Sequence, residues 1–205
     1  MQEVVIIDYG LCNLDSIARA IEECGGRSFV TDKASDLDAA DKIILPGVGA
    51  FGEAMANLKK AGFDQALPEA VRQRETPVLG ICLGMHLMGE SGTEGGDAPG
   101  LGLLSGAVVR MAAPDNARVR LPHIGWNDVA HREDAPLFAG IAPGTDFYFV
   151  HGYRLESPDD EIHATVDYCG PTVAAAGRDH VMAVQFHPEK SQTAGFRLLK
   201  NFLAF

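Results

Sequence analysis

The first half of the chain alternates short aliphatic runs with segments of helical periodicity. The runs VVII (4–7), KIIL (42–45) and PVLGI (77–81) are almost entirely apolar, and each leads into a helical pattern. Near-continuous apolar strands joined by helices are typical of a parallel sheet that is covered on both faces. The pattern therefore predicts an α/β fold with a mostly parallel central sheet flanked by helices.

Small and polar residues mark where the first helices begin and end. A helix is predicted over 14–24, capped by Asn13 and stopped by the glycine pair at 25–26. A second helix follows the loop at 46–52 and stops near Gly62. Because ligands bind beyond the carboxyl ends of parallel strands, this loop is predicted to lie at a binding edge of the sheet.

From about residue 103 the pattern changes to one strand after another. Turn signals such as Pro143-Gly144 and the segment 177–179 separate the strands, which predicts antiparallel hairpins added to the parallel core in the C-terminal half. The strand segments are LLSGAVVRM, LPHIGWNDV, DFYFVHGYRL, IHATVDY, TVAAAG and VMAVQFH.

The end of the chain predicts a closing helix that begins after a Ser191 cap. Leu198, Phe202 and Phe205 recur on it at helical spacing and are expected to face the core. The glycine-rich stretch at 89–104 is predicted to be a surface loop. With 205 residues, 46% of them hydrophobic, and no repeat or linker pattern, the chain suits a single domain over 1–205.

Composition narrows the possible partners. A formal charge of −11 and a pI near 5.0 oppose attraction to phosphate backbones and anionic membranes, so we expect no nucleic acid and no membrane partner. The chain has neither a basic leader pattern nor a long apolar run, which predicts a soluble, cytoplasmic protein. The cysteines are scattered without a Cys-x-x-Cys pair, so free thiols are expected, with no metal and no cofactor.

Cys82 stands between a predicted strand and a predicted helix, with a glycine two residues to either side. Such a turn holds a side chain at the sheet edge, and a helix N-terminus offers unpaired N–H groups and a positive dipole end. These surroundings favour the thiolate and allow the N–H of Leu83 to face an oxyanion. The backbone of Val48 or Gly49 would supply a second donor. The alternative is a buried cysteine between glycines that allow close helix packing.

The segment AVQFHPEK (183–190) supplies a base for this nucleophile. An apolar strand ends at His187, and Pro188 favours extended geometry before it. In an extended chain residues i and i+2 point to the same side, so Glu189 is expected to orient the imidazole and stabilise its cationic form. A lone histidine at a strand end is more often a solvated or core residue, but its proline and glutamate neighbours favour the catalytic interpretation.

The segments GICLGMH, PGVGAF and QFHPEKS together resemble the class I (triad) glutamine amidotransferases. More narrowly, IIDYGLCNLDS, LPHIGWN, YFVHGY and HPEKSQ are similar to the glutaminase subunits of imidazole glycerol phosphate synthase, which act in histidine biosynthesis. The resemblance implies that Cys82 attacks the side-chain amide of glutamine, that His187 protonates the departing ammonia, and that water hydrolyses the thioester. It also implies a heterodimer in which ammonia passes to a cyclase subunit of (β/α)8-barrel fold.

The resemblance also implies two further groups of residues. The glutamine contacts would be Gly47, His86, Tyr148, His151 and Gly152. The partner-facing residues would be Asn13, Pro122, Trp126 and Lys190, although Trp126 is as readily interpreted as a core residue.

Four positions depart from the family pattern. His86 stands where glutamine is usual, and Gly152 where serine or threonine is usual; both positions belong to the glutamine pocket. Cys12 and Cys169 replace usual glycines. The triad is intact, so the first two departures bear on glutamine affinity rather than on the chemistry.

Two other functions stay open. One is a glutaminase of another pathway, such as the anthranilate, guanylate or pyridoxal-phosphate systems, against which the segment PHIGWN argues. The other is a non-catalytic subunit that keeps the fold and only stabilises or regulates its partner. His86 and Gly152 leave the second open, because losing hydrogen bonds from a site built for them weakens selectivity strongly.

Overall fold

A nine-stranded sheet forms the centre of the computed structural model, which describes residues 2–113 and 119–205. The strands of the described residues are β1 (Glu3–Ile7), β2 (Arg27–Thr31), β3 (Lys42–Leu45), β4 (Val78–Ile81), β5 (Ser91–Gly92), β6 (Ala98–Pro99), β7 (Ala107–Arg110), β8 (His123–His131), β9 (Thr145–His151), β10 (Tyr153–Glu156), β11 (Ile162–Asp167), β12 (Pro171–Arg178) and β13 (Val181–Val184). The α-helices are α1 (Leu14–Glu23), α2 (Phe51–Ala61), α3 (Phe63–Arg74), α4 (Leu83–Met88) and α5 (Gln192–Ala204).

The large sheet has a parallel half and an antiparallel half. Its strand order is β2-β1-β3-β4-β13-β12-β11-β8-β9, and the first five strands pair in parallel. The remaining pairings, from β13 to β9, are antiparallel. A second sheet has the order β10-β7-β5-β6. The predicted fold class, a mostly parallel α/β core with antiparallel strands added in the C-terminal half, is confirmed.

Helices cover both faces of the parallel half, which explains its unbroken apolar runs. Val5 and Ile7 of β1 belong to a core shared with α2, α3 and α4. Val4 and Ile6 of the same strand belong to a second core, shared with α1 and α5. Successive side chains of a strand point to opposite faces, so a strand between two helical layers buries all of them.

The predicted helix ends are confirmed to within a residue, but the predicted side-chain caps are wrong. Asn13 occupies the N-cap position of α1 without a side-chain hydrogen bond to the helix. Ser191 occupies that position of α5, yet its hydroxyl donates to the carbonyl of His187 at 2.7 Å and accepts from the N–H of Tyr148 at 3.0 Å. The hydroxyl therefore joins the chain after β13 to β9. At the other ends, α1 stops before Gly25 and α2 before Gly62, both at positive φ.

Four segments differ from their predicted form. The segment 146–155 is divided at Gly152 into β9 and β10, which belong to different sheets. The stretch 89–104 contributes β5 and β6, and it buries three leucines near its end, so it is more than a surface loop. Phe205 is 45% exposed because α5 ends before it. The strand β13 pairs in parallel with β4 and so extends the parallel half.

The turn from β4 into α4 depends on glycine at two positions. A Cβ on Gly84 would overlap the carbonyl oxygen of Leu45 at the end of β3. A Cβ on Gly80 would lie 2.8 Å from the sulfur of Met88 and 3.0 Å from the backbone of Gly84. The first turn of α4 therefore lies directly against the strand ends, which is where the sequence places Cys82.

We expect Gly84→Ala to destabilise the fold by about 1–3 kcal/mol, since the backbone of α4 or β3 must move to admit the methyl group. The matched control is Gly52→Ala in α2, whose Cβ would lie 3.5 Å from the carbonyl oxygen of Glu94, an ordinary contact. The control should stabilise by up to about 1 kcal/mol. Urea unfolding followed by circular dichroism measures both, and equal midpoints for the two variants would contradict the close approach.

Candidate active site

Cys82 occupies a strained backbone position between β4 and α4. Its φ is 55° and its ψ is −109°, a conformation that residues with a Cβ rarely adopt. Its N–H donates to the carbonyl of Val184 at 2.9 Å, which continues the pairing of β4 with β13 up to the turn. The residue is nearly buried, and its sulfur lines a cavity. The turn thus presents the thiol at the carboxyl edge of the parallel strands, as predicted.

The first turn of α4 leaves a donor beside the thiol. The N–H groups of Met85 and His86 donate to the carbonyl of Cys82. The N–H of Leu83 has no acceptor within the described part of the chain, as the geometry of a first helical turn requires. It is therefore available to an oxyanion formed next to Cys82.

His187 and Glu189 form a buried pair just after β13. The imidazole Nδ1 donates to Oε1 of Glu189 at 2.8 Å, and both side chains are almost fully buried. The N–H of His187 donates to the carbonyl of Tyr148 at 2.9 Å, which fixes the backbone of the histidine. The predicted pairing of His187 with Glu189 is present, but the strand ends at Val184 and a 3₁₀ turn over Pro188–Lys190, not an extended chain, brings the two side chains together.

The surroundings of His187 favour its cationic form. Burial by itself lowers the pKa of His187, but the hydrogen bonds with Cys82 and Glu189 outweigh it and raise the pKa to about 10. The imidazolium therefore persists at neutral pH next to the sulfur. A cation in this position stabilises a thiolate and holds a proton for a leaving group.

A cavity of about 290 Å³ opens in front of the thiol. Sequence reasoning did not identify Glu94, which also lines this cavity and whose carboxyl pKa is raised by burial. Of the predicted site residues, the cavity is lined by Val48, Gly49, Cys82, Leu83, His86, Pro122, His151, Gly152, His187 and Lys190.

The loop at 46–49 is held by the loop that follows β1. The N–H of Val48 donates to the carbonyl of Leu11 at 2.8 Å, and the hydroxyl of Tyr9 donates to the carbonyl of Pro46 at 2.9 Å. In this structure the N–H of Val48 is therefore already hydrogen-bonded and does not face an oxyanion at Cys82. Gly47 has the Tyr9 hydroxyl against its Cα, where a Cβ would overlap it, so this glycine serves the close approach of the two loops.

His86 makes its hydrogen bond within the protein. Its Nε2 lies 2.7 Å from Oε1 of Gln185, and the Nε2 of Gln185 donates to the sulfur of Cys82 at 3.9 Å. Burial lowers the pKa of His86 to about 4, so the ring is neutral at physiological pH. Sequence reasoning missed Gln185. The available signal was its place directly after β13 and two residues before His187, in the segment that enters the site.

His151 has both of its ring nitrogens engaged. Its Nδ1 donates to the carbonyl of Tyr153 at 2.8 Å, so its Nε2 accepts from Nδ1 of His123 at 3.0 Å. The ring of His123 stacks on Tyr168 with centroids 3.7 Å apart. Burial lowers the pKa of His123 and of His151 to about 4, so both rings are neutral. Any contact of His151 with a ligand must therefore use its backbone.

Of the predicted partner-facing residues, Trp126 lies on β8, while Pro122 and Lys190 lie outside the strands and line the cavity. Trp126 is 46% exposed and Ile124, two residues earlier on the same strand face, is 60% exposed, so Trp126 is not a core residue. The ring of Tyr148 lies 5.8 Å from that of Trp126 and 5.9 Å from the ammonium of Lys190. Tyr148 meets the active site through its backbone carbonyl. Asn13 is partly exposed at the start of α1.

Two other kinds of site are absent from the described residues. Within 2–113 and 119–205, no group of three or more His, Cys, Asp or Glu side chains is arranged to hold a metal ion. None of the helices in these ranges is both long and apolar enough to cross a membrane. The four cysteines are free thiols, as predicted, and burial raises the pKa of Cys12 to about 11.

Known protein structures share this fold. A crystal structure described as a glutamine amidotransferase superposes with a TM-score of 0.75 and 19% identity, covering 98% of this chain and 97% of the other. The structure of PurLQS from Thermotoga maritima gives a TM-score of 0.75 at 19% identity, covering 100% of this chain and 99% of the other. At this identity the likeness establishes the fold alone.

Sequence comparison defines the family more closely. The family "Glutamine amidotransferase class-I" matches residues 5–204. The imidazole glycerol phosphate synthase subunit HisH 1 of Campylobacter jejuni (strain RM1221) is 45% identical over 98% of this chain and 98% of its own. Subunit HisH of Moorella thermoacetica is 44% identical over 98% of this chain and 94% of its own. The chain therefore belongs to the class-I glutamine amidotransferase family, within the group that contains the imidazole glycerol phosphate synthase subunits HisH.

Proposed function

We propose that Cys82, His187 and Glu189 are the catalytic triad with which this glutamine amidotransferase hydrolyses glutamine, as the glutaminase subunit of imidazole glycerol phosphate synthase in histidine biosynthesis. The observation that carries the proposal is the buried pair of His187 and Glu189, 2.8 Å apart, beside a cysteine that a strained turn presents to a cavity. This is the nucleophile, base and orienting group of a triad.

The chemistry follows from the placement of these groups. The Cys82 thiolate attacks the side-chain amide carbon of glutamine, and the carbonyl electron pair moves to an oxyanion that the N–H of Leu83 faces. When this intermediate collapses, the carbon–nitrogen bond breaks and His187 gives its proton to the departing ammonia. Water then attacks the thioester with His187 as base, and glutamate leaves as the thiolate re-forms.

The cavity offers few side-chain donors to the body of glutamine. The rings of His86 and His151 are engaged within the protein, and Gly152 has no side chain. Glu94 and Lys190 bring opposite charges to the cavity lining. We assign Glu94 to the α-ammonium group of glutamine, and backbone groups of the segment 151–152 to its carboxylate.

The exposed apolar side chains on β8 and β9 are proposed to face the cyclase subunit. The resemblance to the family implies that this subunit is a (β/α)8 barrel. Ile124 and Trp126 are large, apolar and exposed, and Val150 lies beside Ile124 on the neighbouring strand. Contiguous apolar surface of this kind is typical of an interface. Val150 and Pro122 also line the cavity, so a partner seated here lies next to the place where ammonia is released.

The cytoplasm is the compartment we propose for the complex. Its support is the four free thiols, which persist in a reducing environment.

Replacing Cys82 by alanine tests the proposal. We expect Cys82→Ala to abolish glutamine-dependent synthesis by the complex with the cyclase, while synthesis from added ammonium salts stays nearly unchanged, because ammonia enters after the thiol step. Product formation with each nitrogen source is the measurement, and Cys24→Ala is the matched control. Glutamine turnover that survives in Cys82→Ala would remove Cys82 from the mechanism.

The role of Glu189 predicts a change in pH dependence. In Glu189→Gln, burial still lowers the pKa of His187 but the carboxylate no longer opposes it, so the imidazolium loses its proton at lower pH. We expect the alkaline limb of kcat/KM for glutamine to move down by at least about one pH unit. Profiles of the complex across pH measure this shift, with the exposed Glu53→Gln as control. An alkaline limb that stays in place would separate Glu189 from the titration of His187.

The missing hydroxyl at Gly152 predicts an effect on KM. A Cβ there would lie 3.6 Å from Cβ of Pro122, an ordinary contact, so serine fits. One hydrogen bond to a charged group of glutamine contributes about 1.5–3 kcal/mol, so Gly152→Ser should lower KM by roughly tenfold to a hundredfold with kcat nearly constant. Gly152→Ala adds the same carbon without the hydroxyl and should leave KM unchanged. Steady-state kinetics with the cyclase present decide this, and equal KM values for the two variants would disprove a serine contact.

A further inference from the structure

Two buried side chains outside the triad, those of His86 and Gln185, are linked by hydrogen bonds to the nucleophile. The Nε2 of His86 lies 2.7 Å from Oε1 of Gln185, and Nε2 of Gln185 donates to the sulfur of Cys82 at 3.9 Å. Gln185 is completely buried and His86 almost completely. The triad chemistry uses neither residue, yet a buried amide is costly to keep unless both of its ends are satisfied.

The parallel pairing of β4 and β13 places the amide beside the sulfur. The N–H of Cys82 donates to the carbonyl of Val184, the residue before Gln185. The N–H of Gln185 donates to the carbonyl of Ala174 at 2.9 Å, so its backbone is fixed by β12. His86 lies one helical turn after Cys82, which brings its ring to the far end of the same amide.

The two ends of the amide have different chemistry. The neutral ring of His86 donates from Nε2 to the amide oxygen, which turns the NH₂ group towards the sulfur. Hydrogen bonding to a charged group favours its charged form, so an N–H donor facing sulfur favours thiolate over thiol. A histidine is suited to this place because the hydrogen on one ring nitrogen fixes which end of the amide points at Cys82.

We propose that Gln185 is a positioning residue that stabilises the Cys82 thiolate through its side-chain NH₂, and that His86 fixes the orientation of this amide. The proposal rests on the proposed role of Cys82 as nucleophile. It accounts for the imidazole at position 86, whose bond to Gln185 serves the nucleophile rather than the bound glutamine.

The test removes the donor while keeping the shape of the side chain. In Gln185→Met, the pH at which Cys82 reaches half its maximal alkylation rate with iodoacetamide should rise by about one unit. The rate is followed by mass spectrometry on the peptide that contains Cys82. For the complex with the cyclase, kcat at neutral pH should fall roughly tenfold with KM nearly unchanged. Gln65→Met, at an exposed position of α3, is the matched control and should change neither quantity.

Variants of His86, which lies at the far end of this hydrogen-bonded series, separate a positioning role from a purely structural one. His86→Leu leaves the amide unoriented and should shift the alkylation profile in the same direction, whereas His86→Gln, which can again donate to Oε1, should restore it. Gln185→Glu keeps an acceptor for His86 but turns a carboxylate oxygen to the sulfur, and should shift the profile at least as far. Gln185→Glu also provides the test of the proposal if Gln185→Met does not fold.

The opposite results are distinguishable. A Gln185→Met or Gln185→Glu variant that folds and alkylates with an unshifted or lowered profile would overturn the proposal. The same holds if His86→Leu leaves the profile unshifted. None of these outcomes touches the triad assignment, which fails only if Cys82→Ala retains glutamine turnover.

Discussion

The position of the nucleophile Cys82 depends on the close approach of α4 to the end of β3. Gly84 lies against the carbonyl of Leu45, with no room for a Cβ. Because α4 begins there, the chain must turn from β4 into the helix at a single residue, and Cys82 takes a φ of 55°. Strain of this kind costs about 1–3 kcal/mol and persists only where the surroundings fix the geometry. Here the bond from the N–H of Cys82 to Val184 provides that constraint, and the thiol is held towards the cavity.

The buried histidines around this thiol fall into two groups, with lowered and with raised pKa values. His86, His123 and His151 are buried without a carboxylate among their described hydrogen-bond partners, and burial lowers the pKa of each to about 4. His187 is also buried, but it faces Glu189 and Cys82, which raise its pKa to about 10. At neutral pH the site therefore contains one imidazolium among neutral rings, which serve as fixed hydrogen-bonding groups. The placement of one thiol and one carboxylate beside His187 therefore decides which ring transfers protons.

Sequence reasoning succeeded where a structural constraint is local. The strands β1, β3 and β4 were predictable because burial on both faces leaves unbroken apolar runs. The pairing of His187 with Glu189 was predicted as well, although a 3₁₀ turn and not extended backbone produces it. It failed where a polar group binds across the fold. Ser191 was predicted to cap a helix, but its hydroxyl joins His187 to Tyr148. Gln185 went unnoticed because its partners lie about a hundred residues away in the chain.

The loop that carries Val48 limits the backbone donors that can face an oxyanion next to Cys82. The N–H of Leu83 has no acceptor among the described residues, whereas the N–H of Val48, a predicted second donor, donates to the carbonyl of Leu11. Absence of one such donor typically slows acyl transfer by about 10²–10³, or roughly 2.7–4 kcal/mol. Burying one large apolar side chain contributes about 1.5–3 kcal/mol. The free energy available from covering the exposed side chains of Ile124 and Trp126 is therefore comparable to the contribution of one oxyanion donor.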